Sequence, residues 1–386
     1  MYDAIVLGGG VMGAATAYEL VKMGQQVLLL ERFEPGHTNG SSHGDGRIVR
    51  FNYTEPVYVQ MAKLAYGAWH DLEQEAGRQL VQKTGLIEYG PVGSAAVQQS
   101  RALLAEYDIP FETLTAESSR ERFPQYAFQS ESELLFQADG AVAFATPAVK
   151  SLWELFQERG GTARTGTHIV NLAITPDQVT LTDETGTTYE GRRLVVAAGG
   201  WSQQVLAKVG VDLPLTVTQE LLAYFPSKDE SINHRVGVMP VLIEYFGLDR
   251  HFYVLPQVEI PGVKVGWHHS GPVIQPDDER PETPYIVETI QNWVGEIFPG
   301  LSTTPIKTQT CLYTNTPDYH FVVDHHPEWS HVMIAAGFSG HGFKFGPIMG
   351  RFVARMLMGE SVPVDMSTFQ IARFSSSAAL DKRIGA

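Results

Sequence analysis

The segment that most constrains the fold is a glycine-rich turn at 8–13, with the sequence GGGVMG. A short apolar run at 3–7 precedes it and predicts a buried strand, and residues 11–23 after it have helical periodicity. A second buried strand is predicted at 27–30. This order predicts a βαβ unit, whose right-handed crossover is typical of a doubly wound parallel sheet.

The turn has the spacing G-x-G-x-x-G that such units use to hold a pyrophosphate. Gly8 permits the tight turn, Gly10 lets the backbone approach the phosphates, and Gly13 lets the helix pack closely on the strand. The first helical amides, those of Val11 and Met12, then face the phosphates. The alternative is a glycine-rich turn that binds nothing.

An acidic residue in the expected place favours nucleotide binding over that alternative. Glu31 follows the motif by about twenty residues, directly after the second strand, where it can accept hydrogen bonds from a ribose diol. The motif does not by itself distinguish NAD from FAD.

Buried strands of the same type recur later in the chain and favour FAD. Residues 194–198 lead into the glycine turn GGWS at 199–202, and residues 332–336 precede a glycine-rich stretch and a helix at about 347–358. A nicotinamide enzyme usually keeps its binding domain contiguous, whereas this one is dispersed along the sequence. We therefore predict an FAD-binding domain assembled from separated pieces.

The segments between these strands predict a second, largely antiparallel domain. Residues 221–225 and 263–268 alternate apolar and polar side chains and are bounded by prolines and glycines. The predicted fold class is α/β, with a Rossmann-like FAD-binding domain and an inserted substrate domain. We assign 1–85, 145–215 and 310–386 to the FAD-binding domain, and 86–144 and 216–309 to the substrate domain.

Composition and charge limit the possible partners. The chain has 386 residues, a net charge of -15 and a 44% hydrophobic composition, which suits a globular protein with a sizeable core. The negative charge argues against nucleic acid and anionic membrane surfaces, both of which attract clustered Lys and Arg. No apolar run is long enough to span a bilayer.

One cysteine, Cys311, excludes an intrachain disulfide, and we see no signal peptide, so a cytoplasmic location is predicted. Thirteen histidines raise the possibility of a metal site. The adjacent pairs at 268–269 and 325–326 are expected to point to opposite faces of a strand, which disfavours chelation of one ion. No metal is therefore predicted.

Four further segments resemble the family of monomeric sarcosine oxidase, N-methyltryptophan oxidase and pipecolate oxidase. They are HTNGSSHGDGRIVR at 37–50, KVGWH at 264–268, CLYTNTPD at 311–318 and GFSGHGFKF at 337–345. With the N-terminal motif, the resemblance extends from one end of the chain to the other, in the family's order. It implies a monomeric FAD-dependent oxidoreductase acting on a small amino-acid substrate and oxygen.

The resemblance implies that Cys311 carries the flavin through a covalent thioether. A buried structural cysteine is the alternative that the residue itself favours. His43 and Arg47 match family residues near the flavin that support its attachment. A fixed cation at that point would stabilise the negative charge of a reduced flavin. The alternatives are a surface salt bridge for Arg47 and a loop histidine for His43.

Arg50 and Lys344 match the family's pair that holds the substrate carboxylate. An Arg fork with a Lys point charge suits an amino-acid carboxylate. Lys344 lies among glycines and aromatic residues, which weakens the alternative of a solvated charged face. Lys264 matches the lysine that promotes the reaction of reduced flavin with oxygen, although it could also lie on the solvated side of its strand.

His268 and Tyr313 match residues on the substrate side of the flavin. The predicted catalytic residues are thus Lys264, His268, Arg47, His43 and Tyr313, and the predicted substrate contacts are Arg50, Lys344, His268 and Tyr313. The predicted cofactor contacts are Gly8, Gly10, Val11, Met12, Gly13, Glu31, Arg32, Ser41, His43, Arg47, Gly199, Trp201, Cys311, Gly340, Gly342 and Lys344.

These residues predict oxidation of a secondary amino acid, N-alkyl or cyclic, to an imine, with oxygen reduced to hydrogen peroxide. Residues 51–55 read FNYTE, where the sarcosine and N-methyltryptophan members have His-Ala-Tyr-Gly-Glu, so the individual substrate stays open. Two other functions also stay open. One is a flavin dehydrogenase that passes electrons to a quinone or a carrier protein, and the other is a binding or sensing module that has lost turnover.

Overall fold

The computed structural model describes residues 1–247 and 250–375. The C-terminal end of the predicted FAD-binding domain, 376–386, lies outside the described residues. The helices are α1 (Val11–Lys22), α2 (Pro56–Ala76), α3 (Ala95–Glu106), α4 (Ala116–Arg122), α5 (Ala145–Glu158), α6 (Ser202–Ala207), α7 (Pro284–Ile297) and α8 (Gly346–Leu357).

The strands follow the same chain order. They are β1 (Ala4–Leu7), β2 (Val27–Leu30), β3 (Arg47–Val49), β4 (Val81–Lys83), β5 (Leu86–Pro91), β6 (Glu112–Leu114), β7 (Ser132–Gln137), β8 (Ala141–Ala143), β9 (Thr162–Arg164), β10 (Ile169–Ile174), β11 (Val179–Asp183), β12 (Thr188–Gly191), β13 (Leu194–Val196), β14 (Thr216–Phe225), β15 (Val241–Glu244), β16 (Phe252–Leu255), β17 (Val263–Trp267), β18 (Lys307–Asn315), β19 (Val322–His325) and β20 (Val332–Ala336).

A six-stranded sheet contains the predicted βαβ unit, in the order β19-β20-β13-β1-β2-β9. Strands β1, β2, β9, β13 and β20 run parallel, and β19 pairs antiparallel with β20 at the edge. The prediction that strands from the start, middle and end of the chain form one parallel sheet is confirmed.

Alternate side chains of β1 and β2 pack on opposite faces of this sheet, which is why both strands are continuously apolar. Ala4 and Val6 belong to the core formed with the long helices, whereas Ile5 and Leu7 belong to a core that includes β10 and β11. Helix α1 packs on α8 and α5. A Cβ at Gly350 would lie 2.5 Å from Ala15, so the glycine allows α8 to approach α1 closely.

An eight-stranded sheet has the order β18-β14-β17-β16-β15-β5-β7-β6. Its neighbours are antiparallel except for β5 and β15, and the antiparallel pairing predicted for 221–225 and 263–268 is confirmed between β14 and β17. Strand β18 crosses the boundary that we predicted at residue 310. The limits of the two domains stay a prediction.

Helix α7 covers one face of the eight-stranded sheet, where it contributes Ile290 and Trp293 to a shared core. Val263 and Val265 of β17 belong to that core, so the alternating side chain of Lys264 points to the other face. Two three-stranded sheets, β10-β11-β12 and β3-β8-β4, complete the fold. Within the described ranges, every helix is too short or too polar to cross a membrane.

Candidate active site

A cavity of about 340 Å³ lies between the carboxyl ends of the parallel strands and the face of the eight-stranded sheet that is opposite α7. Its lining comes from the turn after β1, the loop before β3, the turn after β13, strands β17 and β18, and residues 337–344. This volume is in the usual range of about 300–1,000 Å³ for small-molecule sites. The segments picked out in the sequence thus meet in one place.

The glycine-rich turn has the geometry predicted for a pyrophosphate site. Gly8 has φ +106°, and a Cβ there would lie 2.3 Å from the carbonyl oxygen of Ala197, which directly follows the neighbouring strand β13. A Cβ on Gly13 would lie only 1.8 Å from the carbonyl oxygen of Gly8. Gly13 therefore brings α1 against the turn without lining the cavity, whereas Gly8, Gly10, Val11 and Met12 line it.

Glu31 lines the cavity beside this turn and is 6% exposed. Its carboxylate accepts backbone hydrogen bonds from Gly9 at 2.6 Å and from Phe33 at 2.8 Å. A carboxylate oxygen can accept more than one hydrogen bond, so these contacts orient Glu31 and still leave acceptor capacity for a diol. The backbone amide of Val11 donates to Ser42 Oγ at 3.1 Å.

A second acid connects the segment after β2 with the turn after β13 through hydrogen bonds. Asp277 accepts from Arg32 at 2.6 Å and from Trp201 Nε1 at 2.9 Å. Arg32, Gly199 and Trp201, which were predicted as cofactor contacts, all line the cavity. Asp277 itself carried no recognisable motif in the sequence.

Cys311, on β18, also lines the cavity. It is 6% exposed and packs with Leu222 and Tyr313. Burial raises the pKa of the thiol, and the nearby Arg47 opposes that shift. Cys311 lines the cavity and is buried, so its attachment to the flavin stays a prediction beside the alternative of a structural cysteine.

Arg47 and Ser41 line the cavity near Cys311. The Arg47 guanidinium donates at 2.9 Å to the backbone oxygens of Gly46 and Ser41, and Ser41 Oγ donates to the backbone oxygen of Leu312. His43 is buried behind this group and does not line the cavity. Burial, and then Arg47 and Lys264, lower the pKa of His43 to about 3, so its ring is neutral.

Lys264 is 3% exposed and lines the cavity, so its interpretation as a solvated strand lysine is wrong. Its ammonium donates to the backbone oxygen of Gly46 at 3.0 Å. Burial, and then Arg47, lower the pKa of Lys264 to about 7. A lysine in such a position changes charge close to neutral pH.

Arg50 and Lys344 are both buried, at 7% and 5% exposure, and both line the cavity. The guanidinium of Arg50 lies 4.5 Å from the ring centre of Tyr53, and the ammonium of Lys344 lies 5.2 Å from the same centre. Arg50 donates to Tyr245 Oη at 2.8 Å. The two cations thus converge on one wall, and a solvated-face interpretation of Lys344 is wrong.

The ammonium of Lys344 is held by two acceptors. It donates to Tyr53 Oη at 2.7 Å and to the backbone oxygen of His341 at 2.6 Å, and its own carbonyl accepts from Trp69. Burial, and then Arg50, lower the pKa of Lys344 well below its ordinary value. An anion bound between the two cations would offset both effects and favour the charged lysine.

His268 and Tyr313 lie together on the cavity wall, with 3.2 Å between His268 Nδ1 and Tyr313 Oη. Burial lowers the pKa of His268 well below its ordinary value, so the ring is neutral. A Cβ on Gly340 would lie 2.3 Å from the Tyr313 ring, so this glycine makes room for the tyrosine. Gly340 and Gly342 line the cavity as predicted.

The prediction that the rings of His268 and His269 point to opposite faces is wrong. Strand β17 ends at Trp267, and His269 has φ +55°, so the two residues lie in a turn. Their ring centres are 4.0 Å apart. Across 1–247 and 250–375, no group of three or more His, Cys, Asp or Glu side chains is arranged to hold a metal ion.

Sequence reasoning missed several aromatic residues of the wall. They are Tyr53, Tyr245, His251, Tyr253 and His341. Burial lowers the pKa of His251 to about 3 and raises the pKa of Tyr245 to about 12, so both are neutral. Two of them lie in segments that were picked out in the sequence: Tyr53 is three residues after Arg50 in FNYTE, and His341 is within GFSGHGFKF.

These residues fit FAD. Glycines with no room for a Cβ form the turn against α1, and an oriented carboxylate follows β2. Buried cations and Cys311 line the same cavity. The glycine turn and the carboxylate suit the pyrophosphate and ribose of a dinucleotide. The buried cations suit an isoalloxazine ring that becomes anionic on reduction.

Comparison with known proteins agrees with this geometry. The family model described as FAD dependent oxidoreductase matches residues 3–356. The chain belongs to the FAD-dependent oxidoreductase family. Among its relatives, peroxisomal sarcosine oxidase of Mus musculus is 35% identical over 97% of both chains. Monomeric sarcosine oxidase of Bacillus sp. (strain B-0618) is 32% identical over 99% of this chain and 98% of that protein.

Solved structures show the same fold for this family member. NikD, an unusual amino acid oxidase essential for nikkomycin biosynthesis, superimposes with a TM-score of 0.85 at 23% identity, over 96% of this chain and 97% of NikD. L-proline dehydrogenase from P.horikoshii gives a TM-score of 0.82 at 20% identity, over 97% of both chains. The predicted fold class is confirmed.

Proposed function

We propose that the protein oxidises a secondary amino acid, N-methyl or cyclic, to an imine and reduces oxygen to hydrogen peroxide. The observation that carries this proposal is the convergence of Arg50 and Lys344 on one wall of the FAD-type cavity. Relatives named sarcosine oxidase and N-methyl-L-tryptophan oxidase support it. The imine is then hydrolysed by water.

Arg50 and Lys344 bind the substrate carboxylate in this proposal. The guanidinium offers a fork of donors and the ammonium a point charge, and both are shielded from solvent, where charge-assisted hydrogen bonds are strong. Fixing the carboxylate orients the rest of the substrate, so the C–H bond next to the amine points in one direction.

His268 and Tyr313 are the neutral groups proposed for the substrate side. Because burial keeps the His268 ring uncharged, it can accept or donate a hydrogen bond without repelling a cationic amine. The chemistry that FAD supplies when bound is acceptance of two electrons from the substrate and their transfer to oxygen.

Lys264 is proposed to promote the oxygen reaction. Its ammonium is buried, faces the cavity and lies beside Arg47, so a developing negative charge on oxygen would be stabilised in a water-poor site. Cys311 is proposed to carry the cofactor covalently, with Arg47 lining the cavity beside it and His43 packed behind.

The remaining cofactor contacts follow from the lining of the cavity. The pyrophosphate is proposed to lie at Gly8, Gly10, Val11 and Met12, with Glu31 on the ribose. Arg32, Gly199 and Trp201 are proposed for the adenosine end, and Ser41, Gly340, Gly342 and Lys344 for the ring end. A cytoplasmic location and a monomeric state stay predictions.

The experiment that tests the proposal is measurement of peroxide in air. The purified FAD-loaded protein should produce one equivalent of hydrogen peroxide for each equivalent of sarcosine, pipecolate or N-methyltryptophan consumed. Substrate consumption that needs an added quinone or dye, with no peroxide, would instead support the dehydrogenase alternative.

A further inference from the structure

A buried acid contacts Arg50. Glu88 on β5 is 0% exposed, and its Oε1 lies 3.5 Å from Arg50 Nη1, the same nitrogen that donates to Tyr245 Oη at 2.8 Å. Arg50 and Tyr245 line the cavity, whereas Glu88 does not. Glu88 therefore contacts the guanidinium from behind the cavity wall.

The strand places this acid where an apolar side chain would otherwise pack. Its neighbours Ile87 and Tyr89 belong to the core under α7, so the alternating side chain of Glu88 projects toward Arg50. The polar groups that act on Glu88 are Arg50, Asn52, Ser100 and Tyr245. Of these, only Arg50 carries a charge near neutral pH.

We infer that Glu88 is a resident carboxylate that competes with the substrate carboxylate for the charge of Arg50, and so makes the pocket's affinity for carboxylates depend on pH. This inference rests on the proposed role of Arg50 in substrate binding. Glu88 is a positioning residue in this inference, because it acts through Arg50 and does not line the cavity.

Two carboxylates that share one guanidinium repel each other across a poorly solvated wall. When Glu88 is ionised it weakens the binding of an anionic ligand, and when Glu88 takes up a proton that repulsion disappears. Burial raises the pKa of Glu88, and Arg50 opposes that shift. Ligand binding adds a second negative charge and so favours proton uptake by Glu88.

Other titrating groups near Arg50 must be separated from Glu88. Besides burial, the charge of Arg50 also lowers the pKa of Lys344. Loss of the Lys344 proton would weaken carboxylate binding as the pH rises. His251 is affected by Arg50 too, but its pKa of about 3 keeps it neutral. The pH trend of one protein is therefore ambiguous. The ratio between wild type and a Glu88 variant isolates the contribution of Glu88, because Lys344 is present in both.

The test compares the wild type with Glu88→Gln, which removes the charge and preserves the size. The FAD-loaded proteins are titrated anaerobically with pyrrole-2-carboxylate, a carboxylate without a saturated C–N bond to oxidise, and with pyrrole-2-carboxamide as its neutral partner. The flavin absorbance gives Kd from about pH 6 to about pH 9, so that proton uptake by Glu88 is seen as a change in the ratio of the two Kd values.

At the alkaline end, Glu88→Gln should bind the carboxylate at least about fivefold more tightly than the wild type. The ratio should fall toward one as the pH is lowered, because a proton on Glu88 removes the repulsion in the wild type. The amide should bind both proteins equally. Glu88→Met, which also removes the charge, should give the same pattern and serves if the glutamine variant does not fold.

Glu244→Gln is the matched control. Glu244 is as buried as Glu88, lies on the adjacent strand β15 and pairs with Arg250 at 3.1 Å, but it does not line the cavity. This variant should keep the wild-type Kd throughout. A Glu88→Gln ratio that does not change with pH, or weaker carboxylate binding, would overturn the inference alone. Absence of carboxylate binding in every protein would overturn the proposed role of Arg50 as well.

Discussion

Lys264 is the buried lysine for which we propose a role in the oxygen half of the reaction. Its side chain could not be assigned from the alternating strand pattern, because alternation alone does not say which face meets solvent. The packing of Val263 and Val265 under α7 is what directs Lys264 into the cavity. The carbonyl of Gly46 then holds the ammonium.

Replacing Lys264 by Met should slow reoxidation of the reduced flavin by oxygen at least about a hundredfold, because the stabilising cation is lost. Reduction by substrate should change by less than about threefold. Stopped-flow mixing of the reduced protein with oxygen measures the first rate, and Lys83→Met, at an exposed lysine, is the control. Equal loss in both half-reactions would contradict a role confined to oxygen.

The pH dependence of the same rate has a definite sign. The pKa of Lys264 is lowered to about 7, so its positive charge is present below that pH and is lost above it. The wild-type reoxidation rate should therefore fall as the pH rises through about 7, and the rate of Lys264→Met should not follow that titration. A wild-type rate that rises over this interval would contradict the electrostatic role.

Some residues of the site could be predicted from sequence motifs, whereas others reach the site only through tertiary packing. Gly8, Glu31 and Cys311 belong to recognisable segments, and their positions on the cavity could be anticipated. Tyr245 could not, because it reaches Arg50 only through the parallel pairing of β15 with β5. Glu88 was not singled out in the sequence, and only the structure shows its contact with Arg50.

At the scale of elements, the end of helix α1 could be predicted from the sequence, but its packing could not. Its boundary was predicted to within one residue, because the apolar periodicity and Gly24, with φ +79°, mark the end of a helix. The way α1 packs on α8 through Gly350 was not predictable, since the two segments lie more than three hundred residues apart.

Gly13→Val should separate α1 from the turn after β1, because a Cβ there would lie 1.8 Å from the Gly8 carbonyl oxygen. Unfolding by urea should show a loss of at least about 2 kcal/mol, and FAD binding should weaken. Gly67→Ala in α2 is the control: its Cβ would meet nothing within 4 Å, so it should stabilise the protein by about 0.5–1 kcal/mol. Equal stability of the two variants would contradict this account.

At the scale of the whole molecule, one cavity joins the two large sheets. The parallel sheet supplies the glycine turn and the eight-stranded sheet supplies Lys264 and Cys311, so a dinucleotide bound there contacts both. The class of each sheet was predictable from hydrophobic pattern. The position of one sheet against the other depends on long-range packing, so it could be predicted only from the resemblance to the family.

Cofactor binding should therefore stabilise both sheets together. In Cys311→Ser, from which FAD can dissociate, the unfolding temperature should rise with FAD concentration, and the stabilisation should reach about 2.7 kcal/mol at a hundred times Kd. Trp293 under the eight-stranded sheet and Trp153 beside the glycine turn should report the same midpoint in single-tryptophan variants. Separate midpoints, only one of them sensitive to FAD, would show that the cofactor contacts one sheet.

The proposal that substrate, flavin and the Arg50–Lys344 wall share one cavity is tested by anaerobic titration of the FAD-loaded protein. Sarcosine, pipecolate, N-methyltryptophan and proline are added in turn while the flavin absorbance near 450 nm is followed, with the Arg50→Gln variant beside the wild type. At least one of these amino acids should bleach the wild-type flavin with one equivalent per flavin. The variant should need a roughly 10- to 100-fold higher concentration of it to reach half of its maximal rate of bleaching. A wild-type flavin that stays oxidised with all four would contradict the proposed function.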